Sequence, residues 1–156
     1  MNGTTDRFAG STGRKLLHET LKLQKLIGTN AELADQIASV GTLIDVPPGK
    51  AIIEQGNDDS DIYLILAGSF DVVVDGRVVA TKFACDHVGE MVAIQPARKR
   101  TASVIARGPS VVLKLSEPQF AKLSAQHPRM LLHIAKELAL RLEQRNTRIM
   151  EQFGMV

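Results

Sequence analysis

The spacing of apolar residues changes twice along this chain. Over residues 14–27, Leu16, Leu17, Leu21, Leu23, Leu26 and Ile27 recur at mostly helical intervals, and Gly28 closes the segment. Thr29 and Glu32 have the spacing of a capping box, which predicts a second short helix to about Ser39 with Leu33 and Ile37 on its inner face. From Val40 the pattern shortens to strands. T-L-I-D-V (42–46) stops at Pro47-Pro48-Gly49, A-I-I-E (51–54) follows, and a polar loop leads into D-I-Y-L-I-L-A (61–67), broken at Gly68. F-D-V-V-V turns at Asp75-Gly76, a short hairpin signal, into R-V-V-A-T. Residues 101–106 and 111–115 continue the series, divided by Gly108-Pro109. Short strands at close spacing predict a small antiparallel β-barrel or jelly roll over residues 40–115.

After Leu115 the helical period returns. Ser116 and Gln119 form a capping box with Pro118 in the first turn, and this helix runs to His127-Pro128. A last helix carries Leu131, Ile134, Ala135, Leu138, Leu142, Ile149 and Phe153 on one stripe, with Arg141, Glu143, Gln144, Arg145 and Arg148 elsewhere. The expected division is a flexible arm at 1–13, helices at 14–39, the β region at 40–115 and two C-terminal helices at 116–153, so 14–156 form one α+β domain. Residues 1–13, rich in Gly, Ser and Thr, show no period.

Composition narrows the class without choosing a function. The 156 residues are 44% hydrophobic and 23% charged, as in ordinary soluble domains, and the net charge of +2 is too mild to imply nucleic acid. No apolar run approaches a membrane span and no signal-peptide pattern opens the chain. The single cysteine, Cys85, forms no internal disulfide; it reads as a small buried hydrophobe, and a reducing cytoplasm is the expected location. His18, His87, His127 and His133 are scattered, with no His-x-His pair in the strand region, which leaves a cupin-like metal site without ligands. Ser103 and Ser110 lack a His–acid arrangement, so no catalytic residue is assigned.

The stretch V-G-E-M-V-A-I-Q-P-A-R-K-R-T-A-S-V (88–104) carries the candidate chemistry. Gly89 permits close backbone approach, and Glu90 is an acceptor suited to a sugar hydroxyl. Residues 91–94 can form one helical turn, and Arg100 offers a donor fork matched to phosphate, with the Thr101 hydroxyl beside it. Such a set suits a small ligand bearing a sugar diol edge and a phosphate anion. Gly89-Glu90 followed by Arg100-Thr101-Ala102, behind the strand–glycine–strand run Y-L-I-L-A-G-S-F-D-V-V-V-D-G, resembles the phosphate-binding cassette of cyclic nucleotide-binding domains. That family includes the catabolite activator regulators, kinase regulatory subunits and cyclic nucleotide-gated channels, and the similarity spans roughly residues 40–145. Val88 stands where many members have Phe, and Val92 where many have Ala.

The resemblance implies an eight-stranded β jelly roll and reversible binding of a 3′,5′-cyclic purine nucleotide, cyclic AMP first and cyclic GMP second, with no other cofactor. It implies Gly89, Glu90 and Met91 around the ribose and short helix, Arg100, Thr101 and Ala102 around the phosphate, and Val79 and Phe83 as the apolar rest for the base. The C-terminal helix would close over the ligand, making the domain a ligand-gated regulatory module. Transcription factors of the family carry a helix-turn-helix after that helix; here the sequence ends where it would begin, so the expected output is an effector protein or assembly rather than direct DNA contact. Ile149 and Phe153 extend the stripe past the domain body and serve either a homodimer seam or, in a monomer, a lid. The lid is favoured because residues 145–148 interrupt the stripe for a turn. The alternative to nucleotide binding is an interaction scaffold with the same fold.

Overall fold

The computed structural model describes residues 4–95 and 98–154. Eight strands form two four-stranded antiparallel sheets: β1 (Thr42–Val46), β8 (Ser110–Leu115), β3 (Ile62–Ala67) and β6 (His87–Val88) in one, and β2 (Ala51–Ile53), β7 (Ser103–Ala106), β4 (Ser69–Val74) and β5 (Arg77–Phe83) in the other. The expected eight-stranded jelly roll is thus present as two facing sheets rather than as a closed barrel.

Strands β3 and β8 read as nearly unbroken apolar runs because both their faces are covered. Tyr63, Ile65 and Val112 point between the sheets and meet Ile53, Phe70, Val104 and Ala106 of the second sheet. Ile62, Leu64, Leu66, Val111, Leu113 and Leu115 point the other way, into a layer of helices. The second sheet has no such cover, and Val78, Val79 and Phe83 are exposed.

The helical layer contains α1 (Gly10–Lys22), α2 (Ala31–Val40), α4 (Glu117–Gln126) and α5 (Arg129–Gln152). Helix α1 begins four residues before the position its leucines predict and ends earlier, and the chain turns through Leu26 and Ile27, which are buried. The segment expected as a free arm is built in from Thr4 onward. A 3-10 helix (Thr4–Phe8) precedes α1, Phe8 is 4% exposed, and Thr5 donates from both its N–H and its hydroxyl to the Asp45 carboxylate. Burying that one phenylalanine, together with the Thr5 bonds, fixes a segment whose composition carries no other signal.

The cap of α2 also moves by one residue. Thr29 sits in the left-handed region (φ 68°), and the Asn30 side chain, not Thr29, accepts the Leu33 N–H. Helix α4 has the predicted reciprocal cap between Ser116 and Gln119. The Asp75-Gly76 turn has positive φ at both residues (50° and 78°), the geometry that matches a two-residue turn to the twist of its strands. None of the described helices is long and apolar enough to cross a membrane.

Candidate functional site

A pocket opens where the β6 end, the short helix α3 (Met91–Ile94), the start of β7 and one side chain from α5 meet. Gly89, Glu90, Met91, Arg100, Thr101 and Ala102 all line it, so the cassette residues separated by the α3 loop do converge. Ile53, Val72, Val88 and Val104 supply apolar wall.

Arg100 is 6% exposed, unusual for an arginine unless its donors are occupied. Its Nη1 donates to the Gly89 carbonyl at 3.2 Å, and Nη2 to the Asp61 carbonyl at 2.6 Å. Asp59 accepts from Nη2 at 2.8 Å and more loosely from Nε at 3.3 Å. The two carbonyls fix the plane of the fork. Asp59, whose side chain is 39% exposed on a loop, is the partner most able to leave. Four bonds against five N–H donors leave one Nη1–H without a partner among the described residues. Arg98, by contrast, is exposed and donates to Gln95 at 2.7 Å.

Gly89 has φ +91° and lies against this arginine. A Cβ there would stand 2.7 Å from the Asp61 carbonyl oxygen and 3.0 Å from Arg100 Nη1. Glycine is what lets the β6 backbone approach the guanidinium.

Glu90 is 4% exposed and faces charges on both sides. His87 Nδ1 lies 3.5 Å from its Oε2, and Arg141 of α5 donates to its Oε1 at 3.3 Å. Burial disfavours the carboxylate, but the His87 ring and Arg141 outweigh it and hold the Glu90 pKa below its usual value. On its other side the His87 ring meets Glu137 of α5 at 3.0 Å. Burial disfavours the charged ring, yet the facing Glu137 and Glu90 carboxylates raise its pKa to about 9. The same His87 ring holds Glu137 down to about 2, against partial burial. Neither ring nitrogen of His87 is aligned for a hydrogen bond, so these contacts act through charge.

Several expectations change here. Val79 and Phe83, assigned to the base, do not line the pocket and are about 60% and 54% exposed. Paired residues of antiparallel strands share a face. Phe70 pairs with Lys82 and Ala106, and Phe70 and Ala106 face the core; Lys82 therefore points in and Phe83 out. A bulge beside Val73 removes Val79 from the register altogether. His87 is a buried strand residue at the pocket, and Cys85 is a half-buried free thiol at a left-handed turn (φ 79°) rather than core. Ile149 and Phe153, favoured as a lid, are exposed, and the α5 residue that reaches the pocket is Arg141. The pocket role of Arg141 escapes a reading by apolar stripe because it lies on the polar face.

If Glu90 accepts from a ribose hydroxyl, a 2′-deoxy cyclic nucleotide should bind the wild type about tenfold or more weakly, the scale of a hydrogen bond to a charged group. Glu90→Gln should narrow that gap. Equal wild-type affinity for the ribo and deoxy ligands, measured by competition, would remove Glu90 from the ribose.

Sequence comparison agrees with this geometry. The profile of the family described as "Cyclic nucleotide-binding domain" matches residues 43–127. The chain is 41% identical over 141 residues to the Pycsar effector protein BcPycTIR of Burkholderia cepacia, covering 90% of this chain and 46% of that protein. It thus spans about half the length of the effector relatives it matches. Among solved structures, the Thermus thermophilus catabolite activator protein superposes with a TM-score of 0.71 at 25% identity, over 81% of this chain and 62% of that one. A cyclic nucleotide-binding domain from Methylobacillus flagellatus superposes with a TM-score of 0.71 over 97% of both chains at 22% identity, a likeness of fold.

Proposed function

The chain belongs to the cyclic nucleotide-binding domain family, and from that premise we propose that it binds a 3′,5′-cyclic nucleotide and uses helix α5 to report occupancy. The observation that carries the proposal is the pairing, in one pocket, of a buried arginine fork held by two backbone carbonyls with a buried carboxylate. The fork suits the single negative charge of a cyclic phosphodiester, and the carboxylate suits a ribose hydroxyl. A scaffold would have no use for two such groups buried side by side at a cavity.

The phosphate takes the remaining Nη1–H and competes with Asp59 for the rest of the fork. The ribose competes with Arg141 for Glu90 Oε1. This second exchange is the switch: Arg141 belongs to α5, so a ligand that draws Glu90 away changes what holds the helix to the sheets. A ligand that binds one α5 arrangement better shifts the population toward it. Cyclic AMP heads the candidates and cyclic GMP follows, supported by relatives such as the "cAMP-activated global transcriptional regulator CRP" of Pasteurella multocida. The residues assigned to a purine, Val79 and Phe83, face outward, so the base preference rests on that likeness alone.

Output through an effector, in another segment or on a partner protein, is suggested by the relatives' names as effector proteins. Direct DNA contact forms no part of this reading. Saturating nucleotide should change amide hydrogen exchange along α5, most strongly around Arg141. Exchange in α5 that is identical with and without bound nucleotide would reject the helix as the reporter.

A further inference from the structure

We propose that His87, His133 and Glu137 form a binding site for a divalent transition-metal ion of the zinc class, clamping α5 to strand β6 behind the nucleotide pocket. One donor atom from each residue lies within 4.8 Å of the others. His133 and Glu137 stand one turn apart on the same face of α5, and His87 comes from the sheet, so the set joins two separate elements.

The distances suit a small tetrahedral ion. His87 Nε2 is 3.0 Å from Glu137 Oε2, and His133 Nε2 is 3.4 Å from Glu137 Oε1. Two donors each about 2.0–2.1 Å from a tetrahedral ion stand about 3.3 Å apart. The two imidazole rings meet edge to face, their centroids 5.9 Å apart, and no two of the three donor atoms are more than 4.8 Å apart. Both Nε2 atoms are buried and make no aligned hydrogen bond; each faces the Glu137 carboxylate as an ion pair, and a metal would sit between the nitrogens and that carboxylate.

The outer shell is present too. Glu90 lies 3.5 Å from His87 Nδ1, across the ring from Glu137, so its negative charge favours the tautomer with the hydrogen on Nδ1 and the lone pair on Nε2. Two nitrogens and one oxygen donor favour zinc over calcium or magnesium, and three protein ligands leave a fourth position for water. The ribose carboxylate and the metal would then share His87, so metal and nucleotide would each alter the other's affinity.

The test uses the full chain, stripped with chelator and dialysed against micromolar zinc without nucleotide, so its outcome is independent of the nucleotide reading. One zinc per chain and a raised melting temperature are expected, with cobalt giving the intense visible bands of a tetrahedral site. His133 is partly exposed, so His133→Ala should fold by circular dichroism yet bind zinc far more weakly. Removing even an outer-shell partner costs about ten- to a hundredfold, and a direct ligand should cost no less. His127→Ala should bind zinc like wild type. Wild type that retains no stoichiometric zinc, or His133→Ala that binds it as tightly as wild type, overturns the proposal and leaves the cluster an ion pair only.

Discussion

Arg100→Ala should weaken cyclic nucleotide binding by about ten- to a hundredfold, the worth of a charge-assisted contact. The expectation comes from how the side chain is held. Carbonyls of Gly89 and Asp61, on two different segments, fix the guanidinium before any ligand arrives, so little ordering cost remains on binding. Asp59 occupies the outer edge of the fork and keeps the buried charge paired, which limits the gain because the phosphate has to share or displace it. The variant should also melt earlier, since it strands the Asp61 carbonyl and the Asp59 carboxylate. Arg98→Ala removes an exposed side chain at the pocket rim that donates to Gln95, and should change affinity by a small factor. Titration of both variants decides: if they bind alike, or Arg98→Ala is the weaker, the phosphate ligand is not Arg100.

Gly89→Ala should be at least as damaging, for a steric reason. Alanine at φ +91° is strained wherever it occurs, at a cost of about 1–3 kcal/mol. Here the new Cβ also meets the Asp61 carbonyl oxygen at 2.7 Å and Arg100 Nη1 at 3.0 Å, the two groups that build the phosphate side of the pocket. Backbone cannot give way as a flexible side chain does, so the arginine fork moves. Gly49 provides the control: its φ is +82°, and a Cβ there meets nothing within 4 Å. Gly49→Ala should lower the melting temperature while leaving affinity intact; Gly89→Ala should lose both. Wild-type affinity in Gly89→Ala would show that the close approach of β6 to Arg100 is not needed for binding.

The parts that the sequence made readable were local or contiguous. The Asp75-Gly76 turn and the Ser116–Gln119 cap are decided within a few residues, and both form as expected. The Gly89, Glu90 and Arg100 set was readable because one loop carries all of it. What escaped depended on distant partners or on a face that no period reveals. Strand β6 is two residues long, too short to show alternation, so His87 gave no sign of being buried against α5. His133 and Glu137 read as polar helix residues, and nothing in their spacing indicates that a strand histidine faces them. The bulge beside Val73 takes Val79 out of register, and Phe83 faces outward only because Phe70 pairs with Lys82, a register that the sequence does not show. Phe8 was hidden by its Gly- and Thr-rich neighbours, although its burial, with the Thr5 bonds to Asp45, docks the segment.

The most direct test of nucleotide recognition is calorimetric titration of the wild-type chain with cyclic AMP, cyclic GMP, cyclic UMP and cyclic CMP, each beside its linear 5′-monophosphate. The account predicts saturable binding of at least one cyclic nucleotide, with the linear form of the same base about tenfold weaker or worse because its added charge and open ring misfit the fork. Cyclic AMP binding tightest would carry the base ranking, and a pyrimidine binding tightest would replace it while leaving the ribose and phosphate contacts as described. Saturable binding of none of the cyclic nucleotides, or equal binding of cyclic and linear forms, would contradict the account.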